Sequence, residues 1–163
     1  MKQALADKLT KKELSSVPSS FDIIGDIAIF NNLSPQLKKR EKLIAETLMS
    51  LHTNIRTVAK KSGKFSGKLR TPKITIIAGE KKKETTYKEN NCLFRLNIEK
   101  CYFSPRLSSE RLRIANAVKK GESVLVMFSG VAPYPCVIAK NSRPKEVYGI
   151  ELNKSAHKYA EEN

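Results

Sequence analysis

The sequence has no apolar run approaching the roughly 20 residues a helix needs to cross a bilayer. Its first residues, MKQALADKLTKKELSS, lack the apolar centre of a secretory signal. Cysteine is scarce: Cys92, Cys101 and Cys136 are odd in number and widely spaced, with no Cys-x-x-Cys pair. The two histidines, His52 and His157, lie far from them in sequence. These facts argue against a disulfide scaffold and a zinc site, and predict reduced, mostly buried thiols in an intracellular, cytoplasmic protein. Acidic residues are also few. Against 16 Asp+Glu stand 31 Lys+Arg, a formal net charge of +15 at pH 7. Such an imbalance fits a polyanionic partner, of which nucleic acid is the commonest. A lysine-rich proteome that decorates every surface alike would also produce it. No internal repeat is visible, and no complete G-x-G-x-x-G marks a dinucleotide site.

What is present fills one sizeable core or two small ones within 163 residues. Residues 1–20 predict a short charged helix and a turn at Pro18. FDIIGDIAIF (21–30) predicts a central strand, or two short ones joined at Gly25. Ser34-Pro35 signals a helix start, after which Leu37, Ile44, Leu48 and Leu51 share one face. Residues 54–88 hold eleven basic and two acidic residues, with two Ser-Gly pairs around Phe65. Lysines on such a loop can follow a phosphate backbone while the ring stacks on a base. A solvated loop with a lysine-rich turn at 81–83 explains the same residues. Within this run KITIIAG reads as a strand. Arg70 stands ahead of the lysines, because a guanidinium can form two parallel hydrogen bonds to a guanine edge.

The second half reads as an α/β unit. One or two strands occupy 91–103. A helix spans 107–120, with Ser108 a cap and Gly121 closing it. SVLVMF is a buried strand of parallel-sheet character, VAPYPCVIAKN a short helix and EVYGIEL another buried strand. NKSAHKYAEEN opens a last helix with Asn153 near its cap. Between the first strand and its helix lies a small-residue turn, Phe128-Ser129-Gly130-Val131-Ala132-Pro133. Glu151 ends the second strand. A turn of this kind lets backbone N–H groups approach a ligand, and such an acid can accept both ribose hydroxyls. Plain βαβ scaffolding remains the alternative.

Several blocks together carry a resemblance: FDIIGDIAIF, KLRTPKITIIAGE, TTYKENNCLFRLNIEK, YFSPRLSSERLRIA and MFSGVAP…VYGIELN. In this order they resemble the archaeal and eukaryotic tRNA (guanine-37-N1)-methyltransferases, from about Phe21 to Asn163. The resemblance implies an α+β substrate-side domain followed by the first βαβ part of a class I Rossmann-like methyltransferase domain. The expected boundaries are 1–20 for an N-terminal helical segment, 21–103 for the tRNA-binding domain and 104–163 for an incomplete S-adenosylmethionine-binding domain. Arg70 would read the guanine edge, with Lys60, Lys61, Lys64, Lys68 and Lys73 on the RNA side. Tyr102 would line the target-base pocket, and Glu110 would be the general base, supported by Arg111. Phe128, Gly130, Val131, Ala132, Pro133 and Glu151, together with Arg111, would surround the cofactor.

The chain departs from the family pattern at Val126, where an acid is usual, and at Ala132, where G-V-G-P is usual. The resemblance also implies further strands beyond those seen here. A two-stranded parallel sheet leaves apolar faces and an open edge. The expectation is therefore an incomplete fragment or split subunit, inactive alone, completed by a second chain or by self-association. The alternatives are a catalytically inactive tRNA-binding module and a wyosine-pathway aminocarboxypropyl transferase. The SPRLSSER block favours the methyltransferase over the latter.

Overall fold

A computed structural model describes residues 1–63, 69 and 71–163. Lys64, Phe65, Lys68 and Arg70 lie outside the described residues. The chain divides into two compact units, the first built from the chain up to residue 63 with Lys73–Lys83, the second dominated by Glu84–Asn163.

In the first unit, FDIIGDIAIF forms two strands, β1 (Asp22–Ile24) and β2 (Ile27–Phe30), which pair antiparallel across Gly25. Gly25 has a φ of +58°, the left-handed backbone that glycine adopts freely. A 3-10 turn over Pro35–Arg40 leads into α2 (Glu41–Leu51), and the chain returns as β3 (Thr57–Lys61), parallel to β2. Ser34 makes no side-chain cap bond, so the proline opens the tighter turn rather than the α-helix itself. β4 (Ile74–Gly79) then pairs antiparallel to β3, giving the order β1-β2-β3-β4. Sequence reasoning missed β3. NIRTVAKK offers only Val58 and Ala59 between polar neighbours, and its partner is found only after α2 has crossed over.

Leu37, Ile44 and Leu48 are buried as their spacing requires, but Leu51 is 48% exposed because α2 ends there. The N-terminal residues are not a separate segment. They include α1 (Lys11–Ser16), and Leu5, Leu9 and Val17 share one core with Phe30, Ile44 and Val58. At Gly79 a Cβ would stand 2.1 Å from the Arg56 carbonyl oxygen, so only glycine fits that strand end.

The second unit begins at Glu84, about twenty residues before the expected boundary at 103/104. The reason is a hairpin. β5 (Glu84–Glu89) pairs antiparallel with β6 (Cys92–Asn97), and Asn90 and Asn91 turn the chain at φ of +45° and +63°. Two residues with positive φ give the turn whose twist matches the flanking strands. The sequence reading assigns no strand to 84–89, the end of the basic run, and the Asn-Asn pair is the signal that finds β5.

After the hairpin come α3 (Ser108–Ala117), β7 (Ser123–Met127), α4 (Pro133–Asn141), β8 (Glu146–Ile150) and α5 (Lys154–Glu162). β7 and β8 pair in parallel around α4, and α3 packs on α4. Asn153 caps α5, its side chain accepting from the Ser155 and Ala156 N–H groups. At the far end of α5 the Asn163 side chain accepts from Arg95 N and donates to the Arg95 and Val131 carbonyls. Tyr159 donates to Glu84, and burial together with that carboxylate pushes the phenol up to about 12.

β7 and β8 are not the fully buried strands expected. Leu125, Met127, Tyr148 and Ile150 are exposed, because only one face of this two-stranded sheet is covered. Cys92 and Cys101 are buried and Cys136 half-buried, and burial pushes the Cys101 thiol up to about 11. Among the described residues no helix is long and apolar enough to cross a membrane.

Candidate nucleotide and base site

β7 ends at Met127, and the next five residues reverse the chain into α4. Phe128, Gly130 and Ala132 have φ of +57°, +59° and +63°, so the turn alternates between left-handed and ordinary backbone. Pro133 follows at the first helical position, where its missing N–H costs nothing. The turn is tied down on β8, Ser129 N donating to the Ile150 carbonyl at 2.9 Å. Gly149 makes this approach feasible, since a Cβ there would lie 3.0 Å from Ser129 Oγ. Sequence reasoning passed over Gly149. A glycine inside an apolar strand marks such close backbone contact.

Glu151 faces the turn. One carboxylate oxygen accepts from Gly130 N at 2.7 Å and the other from Asn153 N at 2.7 Å. Each oxygen keeps a lone pair, so the acid is oriented and still able to accept from a diol. A Cβ on Gly130 would lie 3.7 Å from the Tyr102 carbonyl oxygen, which brings the 101–103 segment beside the turn. The Tyr102 side chain is 54% exposed and Phe128 82% exposed. Val131 is buried and packs inward rather than lining an open surface.

Phe128 and Ala132 are strained, since a Cβ disfavours left-handed backbone by roughly 1–2 kcal/mol. Replacing Ala132 by glycine removes that strain but adds unfolded-state freedom worth roughly 0.5–1 kcal/mol. The expected net outcome is a stabilisation of about 0.5–1 kcal/mol, read as a higher urea midpoint. A lower midpoint would show that the alanine methyl contributes packing that outweighs the strain.

Glu110 and Arg111 leave α3 in different directions. Glu110 is half-exposed and pairs with Arg113, at 2.7 and 2.8 Å. Hydrogen bonding from Arg113 holds its carboxyl below the ordinary range. Arg111 is buried, donates to both oxygens of Glu89 and to the Ser104 carbonyl, and lies over the Phe103 and Tyr134 rings. It therefore ties the hairpin end, the 103–104 segment and the start of α4 together, and does not reach Glu110. Nothing in the sequence pointed to Glu89, which ends the unrecognised β5.

On the first unit, Lys60 Nζ sits 2.6 Å from Glu41 and is half-buried, so that cation is already paired. Lys61 ends β3 half-buried, and Lys73 is exposed just before β4. Lys64, Lys68 and Arg70 are the RNA-side residues that fall outside the described part of the chain.

Residues 85–163 match the TRM5/TYW2 methyltransferase domain, and residues 1–82 match the TYW2 N-terminal domain. The chain belongs to the TRM5/TYW2 family. The junction of the two matches coincides with the hairpin start at Glu84. A relative from Nanoarchaeum equitans, "tRNA (guanine(37)-N(1))/4-demethylwyosine(37)-methyltransferase Taw22", is 44% identical over 140 residues, covering 86% of this chain and 46% of the relative. The complex structure of aTrm5 and tRNALeu superposes with a TM-score of 0.84 at 30% identity, covering 98% of this chain and 46% of that one. Methanocaldococcus jannaschii Trm5 in complex with adenosine superposes at 0.80 with 30% identity, covering 99% and 47%. This TRM5/TYW2-family chain thus spans about half the length of the relatives it matches.

Proposed function

We propose that the chain serves an S-adenosylmethionine-dependent tRNA (guanine-37-N1)-methyltransferase of the cytoplasm. The observation that carries this reading is the Glu151 carboxylate held against the 128–133 turn. A carboxylate with spare lone pairs, set beside backbone that glycine keeps open, fits a nucleoside ribose, and the adenosine complex of the Methanocaldococcus jannaschii relative supports the same ligand class. Residues 84–163 form the donor side in this reading and residues 1–83 the tRNA side. Glu151 holds the ribose hydroxyls, while Phe128, Gly130, Ala132 and Pro133 border the donor. When bound, the donor supplies an electrophilic methyl carbon on a sulfonium sulfur.

The acceptor, N1 of guanine, carries a proton that must leave as the new bond forms. Glu110 is the carboxylate assigned to take it, and Tyr102 the side chain that stacks on the splayed base. Because Arg113 occupies Glu110 and weakens it as a base, the base role requires that guanidinium to swing onto the substrate. Arg70 is assigned to the guanine edge, and Lys61, Lys64, Lys68 and Lys73 to the phosphates. The Nanoarchaeum equitans relative's name adds 4-demethylwyosine as a second methyl acceptor, which favours methyl transfer over aminocarboxypropyl transfer.

The exposed β7–β8 face supports the expectation that the chain alone is incomplete. Leu125, Met127, Tyr148 and Ile150 form a contiguous apolar strip, and we place on it further strands carried by a second chain. A tRNA-binding module without catalysis would leave the same strip bare. Calorimetric titration with S-adenosylmethionine, followed by labelled-methyl transfer to a tRNA with guanine or adenine at position 37, tests the reading. Donor binding and guanine-dependent transfer, with turnover appearing when a polypeptide bearing the remaining strands is added, are the expected results. Binding of tRNA with no donor heat under either condition leaves the non-catalytic module.

A further inference from the structure

The positive charge is distributed unevenly. Residues 1–83 hold 18 Lys+Arg against 7 Asp+Glu, whereas residues 84–163 hold 13 against 9. Most of that excess lies in residues 54–83, with 10 Lys+Arg against one Asp+Glu, whereas residues 1–53 hold 8 against 6. Five of those eight are lysines on or just before two adjoining elements, α1 and the 3-10 turn over Pro35–Arg40. Arg40 Nε donates to Glu13 at 3.1 Å and joins the two. Beneath them Leu9, Val17 and Leu37 are buried in the core, so both elements are seated firmly.

Apart from exposed Asp7, next to Lys8, the acids of this region are already committed. Glu13 caps α1 with Thr10 and pairs with Arg40, Glu41 pairs with Lys60, and Glu46 with Lys42. Lys8, Lys11, Lys12, Lys38 and Lys39 are exposed, and among the described residues none of them forms an ion pair. Lys11 and Lys12 are the first two residues of α1, at the positive end of the helix dipole, where a cation is unfavourable. Helix stability therefore does not explain them.

We infer that this α1–Pro35–Arg40 face is a second phosphate-contact surface for the tRNA, separate from the basic loop beyond β3. The inference rests on the tRNA reading above and extends it to a surface that reads no bases. Five unpaired ammonium groups on and beside two joined, core-anchored elements suit the sequence-independent contacts that set register on a nucleic-acid backbone. An anionic membrane is the other polyanion to consider, but a membrane-surface helix also needs large apolar side chains beside its lysines. None of the large exposed apolar residues lies in the first 50 positions.

The test is a fivefold variant of the full chain, Lys8, Lys11, Lys12, Lys38 and Lys39 all changed to Gln. A control carries Lys119, Lys120, Lys140, Lys145 and Lys158 changed to Gln, an equal loss of charge on the second unit. Binding of several unrelated tRNAs is measured across a salt series, together with thermal melting. The surface variant is expected to melt no lower than the unaltered chain. It should bind every tRNA about tenfold or more weakly at low salt, with the log–log salt slope reduced by roughly 2–4. Equal losses in both variants, or no loss in the surface variant, would overturn the inference, because net charge alone would then account for binding. So would retained tRNA affinity with lost binding to phosphatidylserine vesicles. If the unaltered chain binds these tRNAs but fails to distinguish guanine-37, the functional reading falls while the surface stands. If it binds no tRNA, both fall.

Discussion

Replacing Arg111 by methionine is expected to cost the second unit about 3–5 kcal/mol, the penalty of leaving a buried partner charge uncompensated. Both side chains of the Arg111–Glu89 pair are 2% exposed, so water cannot take the place of the lost guanidinium. The Ser104 carbonyl also loses its donor, and Phe103 and Tyr134 lose the cation beneath their rings. Against a typical total stability of roughly 5–15 kcal/mol, this is a large fraction, and urea denaturation should show a markedly lower midpoint. Changing Glu89 to leucine in the same chain should restore most of the loss, because an apolar pair can fill a site from which both charges are gone. A single variant that unfolds at the same urea concentration as the unaltered chain would mean that Glu89 finds another partner or a proton at little expense. The experiment bears on function as well. Arg111 was expected beside Glu110 and the cofactor, and its actual bonds make it the fastener of the segment that carries Tyr102.

Glu151→Ala is expected to weaken S-adenosylmethionine binding roughly 100-fold, the loss of two charge-assisted hydrogen bonds of roughly 1.5–3 kcal/mol each, partly offset by water. The acid is half-buried, with Gly130 N and Asn153 N holding its two oxygens, so it is presented in one orientation before any ligand arrives. Glu151→Gln keeps one acceptor oxygen and should lose about tenfold. Affinity for tRNA should stay unchanged in both variants, because the effect is confined to the donor. Titration calorimetry in the presence of the completing strands reads these constants directly. Unaltered donor affinity in Glu151→Ala would leave the turn and its acid as scaffolding alone.

Much of the second unit was legible because its signals are local. A proline at a helix start, an asparagine cap at Asn153 and apolar runs bounded by polar turns act within a few residues, so 123–162 could be parsed in order. The pairing of the 128–133 turn with Glu151 was likewise legible, since one βαβ unit brings them together. What failed needed partners distant in sequence. β3 is recognised by its parallel pairing with β2 across α2, and β5 by its pairing with β6 through two asparagines in left-handed backbone. The domain boundary moved from 103/104 to 83/84 for the same reason.

By itself, then, the amino-acid order determined the charge imbalance, the βαβ pattern and the family, all of which are carried by composition, periodicity and contiguous motifs. Only the tertiary structure decided what the charged side chains do. It paired Lys60 with Glu41, Glu110 with Arg113 and Arg111 with Glu89, and it left the lysines of α1 and the Pro35–Arg40 turn unpaired. The physical reason is range. A backbone preference is set by neighbours along the chain, whereas the state of a charge is set by burial and by whatever carboxylate the fold brings within a few ångströms.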